Sequence, residues 1–224
     1  MERTSSALVT VAILQTAIPD YRAPFFDELR KQVVGDVVLL AGDDDWSADI
    51  VHAGHVVDVP LRNVFLIGGR LLWQTGGLRQ LLSADVAVVS LNPRSLTSWL
   101  VLGGRKLVRR RTVVWGHAWP RGGREHRSDA LRALMRRLAS TLVVYTETEA
   151  RQLAKRAPRI DVVAAPNALY RRGEIGPSEI TTVPTDVVYV GRLTSSKRVD
   201  LLLDAFLCAE RDLPNDVRLV IVGD

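Results

Sequence analysis

The sequence predicts an α/β fold: a doubly wound parallel sheet, followed by the opening of a second α/β unit. Three observations carry this reading. Short Val/Leu/Ile runs alternate with helical patterns from Leu8 to Ala165. The texture then breaks after Asn167 into the polar stretch "RRGEIGPSEITTVPTD", with two glycines and two prolines. A new apolar run, a helical pattern and another apolar run follow, from Val187 to Val222.

The elements justify the class in order. The first strand is placed at Leu8–Leu14. Arg3 precedes this run as it would in a signal peptide, but the run is short, Thr10 interrupts it and Glu2 offsets the charge. Ala23–Val34 reads as a helix and Val37–Ala41 as a strand. Val56–Val59 is placed as a strand. "NVFLIGGRLLWQ" stays open between a strand, a hairpin and an irregular crossing. Then come helix Gly77–Leu82, strand Val86–Ser90, helix Ser95–Val108, strand Thr112–Trp115, helix Ser128–Ala139, strand Leu142–Tyr145, helix Glu147–Arg156 and strand Val162–Ala165. Continuous apolar runs suit strands covered on both faces, and β-then-α alternation suits parallel pairing. The stretch after Asn167 is a linker signal. Strand Val187–Val190, a helix from about Lys197 to Arg211 and strand Val217–Val222 complete the pass. The expected organisation is residues 1–168 as a Rossmann-like domain, 169–185 as a linker and 186–224 as an incomplete second domain. One β-α-β unit leaves sheet edges and a face uncovered.

Composition excludes several classes. Of 224 residues 47% are hydrophobic and 25% charged, as in a globular protein with a large core rather than a disordered one. The single cysteine, Cys208, excludes an internal disulfide framework, and its neighbours Leu203 and Phe206 suggest a buried core position. No run approaches the ~20 apolar residues of a membrane span, so a cytoplasmic location is expected. The net charge of +5 is unevenly spread. Arg105, Lys106, Arg109, Arg110 and Arg111 form one cluster. Arg121, Arg124, Arg127, Arg132, Arg136 and Arg137 form another. A solvated basic face is the plain reading, and an anionic membrane surface the functional one. Nucleic acid is not expected, because no stacking aromatics interleave with the arginines. In "SDALRALMRRLAS", Leu131, Leu134, Met135 and Leu138 share one helical face, which suggests a helix docked on a sheet with a basic outer side.

"VVYVGRLTSSKRVDLLLDAF", Val187–Phe206, is a strand, a short loop and a helix. Such a loop lies at the carboxyl edge of a sheet, where α/β proteins bind ligands. A helix N-terminus presents unpaired N–H groups and a positive dipole end, with Ser195 or Ser196 placed to cap it. Arg192 and Lys197 add two cations, so the spacing suits a diphosphate. Neither the Walker loop nor G-x-G-x-x-G is present. The alternative is that Arg192 and Lys197 pair with Asp200 and Asp204.

"YVGRLTSSKRVDLLLDAF…VRLVIVGD" resembles the start of the nucleotide-sugar-binding domain of retaining glycosyltransferases of family 4, which have the GT-B fold of two Rossmann-like domains. The resemblance implies that Gly191, Arg192 and Lys197 bind the donor diphosphate, and that the cations stabilise the departing nucleoside diphosphate. It implies no metal and no cofactor, only a nucleoside-diphosphate sugar as co-substrate and a glycan or lipid-linked acceptor. "APNALY" resembles the P-N-[AG]-[VIL]-D segment that ends the first domain, with Tyr170 where Asp is usual. "YTETEA" resembles a strand-to-helix turn near the cleft, with Glu147 and Thr148 opening the helix; capping is the plain reading.

"VVWGHAWPRGG" places His117 directly after a strand, behind a glycine that allows close backbone approach. It resembles the W-G-H segment of a subset of family 4, in which the histidine is near the donor sugar; His117 is the catalytic candidate. "QTAIPDYRAPFFDELRK" lacks the glycine pair of many members. It resembles a variant in which Tyr21 and Arg22 face the cleft, while Phe25, Phe26 and Leu29 anchor the helix. His52, His55 and His126 lack a partner pattern, and no histidine or cysteine spacing suggests a metal site. The paired-glutamate motif E-x7-E of family 4 is absent, so the resemblance implies about half of a full enzyme. Two alternatives stand beside it: a nucleotide-sugar 2-epimerase of the same fold, and an inactive truncated protein that binds phosphorylated ligands.

Overall fold

The computed structural model describes residues 9–46, 52–120, 128–168, 170–174, 176, 186–214 and 216–223. The chain divides into two compact units, Met1–Glu174 and Ile175–Asp224. The first holds an eight-stranded sheet: β1 (Val9–Gln15), β2 (Gly35–Gly42), β3 (Val59–Leu66), β4 (Leu71–Thr75), β5 (Val86–Ser90), β6 (Arg111–Trp115), β7 (Thr141–Val144) and β8 (Asp161–Ala164). Their spatial order is β4-β3-β2-β1-β5-β6-β7-β8. Every pairing is parallel except β3 with β4. This is the expected α/β class, a large, mostly parallel, Rossmann-like sheet.

Alternate residues of each strand feed opposite faces, which is why the runs are continuous rather than alternating. Ile13, Leu39 and Ala41 join Phe26 of helix α1 (Ala23–Gln32) on one face. Leu14, Leu40, Val89, Val114 and Leu142 join Leu81, Val101, Met135 and Leu153 on the other. The latter come from α2 (Leu78–Ser83), α3 (Leu96–Leu107), α4 (Ser128–Leu138) and α5 (Glu147–Arg156). The sheet is therefore wound on both sides. Strand order reverses at β1, which lies between β2 and β5. At such a switch point the loops leaving the carboxyl edge diverge and open a crevice.

Several expectations need correction. The strand placed at Val56–Val59 is a 3-10 turn over Gly54–Val56, and β3 begins at Val59. "NVFLIGGRLLWQ" is a hairpin, with Ile67, Gly68 and Gly69 at positive φ between antiparallel strands. In α4, Leu131 and Leu134 are exposed, while Met135 and Arg136 are buried. The basic side therefore faces inward in part, because Arg136 binds the Ala118 carbonyl and Asp129, and Arg132 binds the Leu91 and His117 carbonyls. Arg105 is not part of a solvated patch either. It is fully buried, and its guanidinium donates to the carbonyls of Leu81, Leu82, Ala84, Asp85 and Arg111 and to Thr112 Oγ1. Arg121, Arg124, Arg127 and His126, and most of the linker placed at 169–185, lie outside the described residues.

The second unit pairs β9 (Asp186–Val190) in parallel with β10 (Arg218–Val222), with α6 (Val199–Ala209) between them in sequence. Cys208 is exposed rather than buried, as are Leu201, Leu203 and Leu207. A two-stranded sheet offers too little apolar surface to cover both sides of a hydrophobic helix.

Candidate functional site

The carboxyl edge of the large sheet gathers the first set of candidate residues. Tyr21 and Arg22 follow β1 in a 3-10 turn, His117 follows β6, and Glu147 opens α5 after β7. The Arg22 guanidinium carbon lies 4.6 Å from the centre of the Trp115 ring, a cation–π contact. Phe25 packs against the same ring, with centroids 5.6 Å apart, and Phe26 is buried beneath it, as expected for anchors of α1. Tyr145 lies on the other side, 6.3 Å from the Trp115 ring and 4.6 Å from that of His117. Burial raises the Tyr145 phenol above its ordinary pKa, and the nearby Arg22 charge opposes the shift.

His117 is outward-facing, its side chain 69% exposed. Its Nδ1 lies 3.5 Å from Glu149 Oε1. That carboxylate is only 14% exposed and is held from several sides. Oε1 accepts the Ala118 N–H at 3.0 Å, and Oε2 accepts the Thr146 hydroxyl at 3.4 Å. Thr146 in turn caps α5 by accepting the Glu149 N–H at 3.1 Å, a T-x-x-E capping arrangement. Below the ring, Arg132 Nη1 donates to the His117 carbonyl at 3.2 Å and to that of Leu91 at 2.6 Å, so the loops after β5 and β6 share one cation.

Tyr21 faces a different space. With Pro24, Asn167, Tyr170 and Glu174 it lines a cavity of about 660 Å³. That volume is within the range of small-ligand sites. Tyr170, the residue that departs from the family pattern, is thus brought beside Tyr21.

In the second unit the Gly191–Lys197 loop leaves the carboxyl end of β9. The Gly191 N–H donates to the Val222 carbonyl at 2.9 Å, and Tyr189 Oη donates to the Arg192 carbonyl at 3.1 Å. A side chain at Gly223 would overlap the Gly191 carbonyl oxygen, so the ends of β9 and β10 meet through their glycines. Arg192 and Lys197 are both exposed. Lys197 ends a 3-10 turn, Ser195–Lys197, and is not in the first turn of α6. The expected serine cap is absent: the N-cap of α6 is Arg198, left-handed at φ 49° and without a capping side-chain bond. Arg198 instead forks onto Asp200, with contacts of 2.8 to 3.0 Å. The Asp200 carboxyl is held below the usual carboxylate range by Arg198 first, and also by the N–H groups of Leu201 and Asp200 itself. Of the two acids named as alternative partners for Arg192 and Lys197, Asp200 is therefore engaged by Arg198.

No protein-family model matches the chain, and no curated protein sequence matches it. Among solved structures it is similar to the UDP-GlcNAc 2-epimerase from Methanocaldococcus jannaschii, with 10% identity and a TM-score of 0.49. That match covers 96% of this chain and 65% of the epimerase, so the chain spans less than two thirds of that protein's length.

The residues themselves define what the two arrangements can do. The first offers an exposed imidazole backed by a carboxylate, beside a guanidinium-capped aromatic wall. The second offers two exposed cations at a strand end. Glu147 is exposed at the start of α5, while its neighbour Glu149 makes the contact with His117. The signal for Glu149 was present in the sequence as the third residue after Thr146. Arg132 and Tyr145 carried no such signal, since both depend on which loops the sheet brings together. Among the described residues no group of three or more His, Cys, Asp or Glu could hold a metal ion.

Proposed function

We propose that the chain is the acceptor-side domain and the first donor-domain unit of a retaining glycosyltransferase that takes a nucleoside-diphosphate sugar. The observation that carries this reading is the G-R-L-x-x-x-K loop: Arg192 and Lys197 stand exposed where it leaves the carboxyl end of β9. Arg198 is held by Asp200, so the cations assigned to the diphosphate are Arg192 and Lys197. As the glycosidic bond breaks, negative charge grows on the leaving diphosphate, and fixed cations lower that barrier. His117, Tyr21, Arg22 and Glu147 are assigned to the sugar and acceptor side. The acceptor class is a glycan or a lipid-linked glycan.

Titration calorimetry with UDP and GDP tests the loop. Arg192→Ala with Lys197→Ala is expected to weaken binding about tenfold or more, since charge-assisted contacts contribute about 1.5–3 kcal/mol each. Unchanged affinity would overturn the assignment.

The His117–Glu149 contact supports a second reading, a nucleotide-sugar 2-epimerase, because removing a proton from a sugar carbon needs a base held by an orienting group. Incubation with a UDP-sugar in deuterium oxide separates the two. Deuterium at the sugar C2 supports epimerisation, whereas its absence alongside transfer to an acceptor supports the first reading.

A further inference from the structure

At the opposite, amino edge of the large sheet, the turn between α3 and β6 reads "KLVRRR", Lys106–Arg111. Leu107 is 86% exposed, the highest value among the described large apolar residues, and adjacent Val108 is 64% exposed. Lys106 precedes this pair, and Arg109, Arg110 and Arg111 follow it. We propose that this turn is a docking tip that inserts Leu107 and Val108 into an anionic lipid surface while the flanking cations bind the headgroups.

The turn is built to hold those side chains outward. Backbone bonds close it three times: Val108 N–H to the Gly104 carbonyl at 3.4 Å, Arg109 N–H to that of Lys106 at 3.2 Å, and Arg110 N–H to that of Arg105 at 2.9 Å. Arg109 adopts φ 56°, a left-handed conformation uncommon for a residue with a side chain. Beneath the tip, buried Arg105 and surface Arg110 both tie down the carbonyls that end α2, those of Leu82 and Ala84. The exposed pair is thus fixed in place rather than carried on a slack loop.

Charge selects the occupant. The sequence has no acidic residue between Asp85 and Glu125, so α3 and its turn present one sign of charge. The Asp85 carboxylate accepts the Thr10 N–H at 2.8 Å. Aliphatic residues among cations are the pattern of a segment at the interface of anionic lipid. A second copy of the chain meeting this tip symmetrically would set the same cations against each other. Nucleic acid would engage the cations through its phosphates but would leave the exposed Leu107 and Val108 without an apolar partner. Because the strands are parallel, the other helix-to-strand turns share this edge, bearing exposed Val34 and Arg159 but also the exposed carboxylates Asp36, Asp85 and Asp161, so the cationic character belongs to the Lys106–Arg111 turn and not to the whole edge. The edge carrying His117 is opposite and stays accessible.

Sedimentation of the full chain with phosphatidylcholine vesicles, with and without phosphatidylglycerol, tests the proposal. Binding is expected only with the anionic vesicles, and it should fall as salt rises. Leu107→Ser with Val108→Ser should lower the partition coefficient about tenfold or more, given two aliphatic side chains returned to water. Arg109→Gln with Arg111→Gln should abolish the preference for anionic lipid. These four positions are exposed, and a melting curve checks that each variant folds. Equal recovery with both vesicle types, no recovery with either, or unchanged binding of the serine variant would each overturn the proposal.

Discussion

Glu149 Oε1 accepts the Ala118 N–H at 3.0 Å while standing 3.5 Å from His117 Nδ1. One carboxylate therefore satisfies a buried backbone donor and faces a single nitrogen of an exposed imidazole. In neutral His117 the proton is expected on Nδ1, toward Glu149, leaving Nε2 as the outward acceptor. Nitrogen-15 shifts of the ring report this directly. Glu149→Ala should move the proton to Nε2 and cost about 1–3 kcal/mol in urea unfolding, because Ala118 N–H loses its partner. Glu149→Gln should restore most of the stability, and retention of the Nδ1 proton in Glu149→Ala would refute the orienting role.

Tyr145 gives a pH dependence whose sign follows from burial. Its folded-state pKa is raised, so the unfolded chain releases this proton first as pH rises. The stability it contributes is complete below the unfolded value of about 10 and is lost as pH climbs through the higher folded value. Unfolding free energy should therefore decline in the alkaline range, and Tyr145→Phe should flatten that decline. A decline of equal slope in the phenylalanine variant would assign it to other groups.

Arg105 is a buried cation whose guanidinium donates to five backbone carbonyls and the Thr112 hydroxyl. Three of those carbonyls, from Leu81, Leu82 and Ala84, belong to the end of α2, where a positive charge complements the helix dipole. Arg105→Met removes this donor from all five carbonyls, with Arg110 still reaching those of Leu82 and Ala84, and should destabilise the chain by about 3 kcal/mol or more, read in chemical denaturation. Arg105→Lys should recover only part of this, since one ammonium cannot span six acceptors. A loss under about 1 kcal/mol for the methionine variant would show that water replaces the guanidinium.

These sites mark what was legible in the sequence. Continuous apolar runs located β1, β2 and β5 to β8 and their parallel pairing, since burial on both faces leaves that trace, whereas β3 was misplaced and the β3–β4 hairpin stayed open. The ends of β1, β6 and β9 were legible too, because Arg22, His117 and Arg192 each follow such a run. The arginines were not. "RRLAS" and "GGRKL" look like solvated charge, and only the fold reveals Asp129 and the Ala118 carbonyl at Arg136 and the carbonyls converging on Arg105. The same limit applies to α4, where apolar periodicity favoured Leu131 and Leu134 but hydrogen bonding turned Arg132 and Arg136 inward. Cys208 failed for another reason. Helical apolar spacing predicts burial only where a second layer covers the helix, and the two strands β9 and β10 do not bury α6.

Two glycines separate packing from backbone freedom in a single comparison. Gly103 lies within α3, and a Cβ there meets nothing within 4 Å. Gly103→Ala should therefore stabilise the chain by about 0.5–1 kcal/mol through helix propensity. At Gly223 the same methyl would strike the Gly191 carbonyl oxygen, which is backbone and cannot rotate away. Gly223→Ala should cost about 1–3 kcal/mol and speed hydrogen exchange of the Gly191 N–H, which is bonded to the Val222 carbonyl. Arg192 is the next residue, so the shift should also weaken UDP and GDP in calorimetry without removing a charge. If Gly223→Ala accelerates exchange at Gly191 yet leaves nucleotide affinity intact, the meeting of the two strand ends is purely structural and the loop's cations act independently of it.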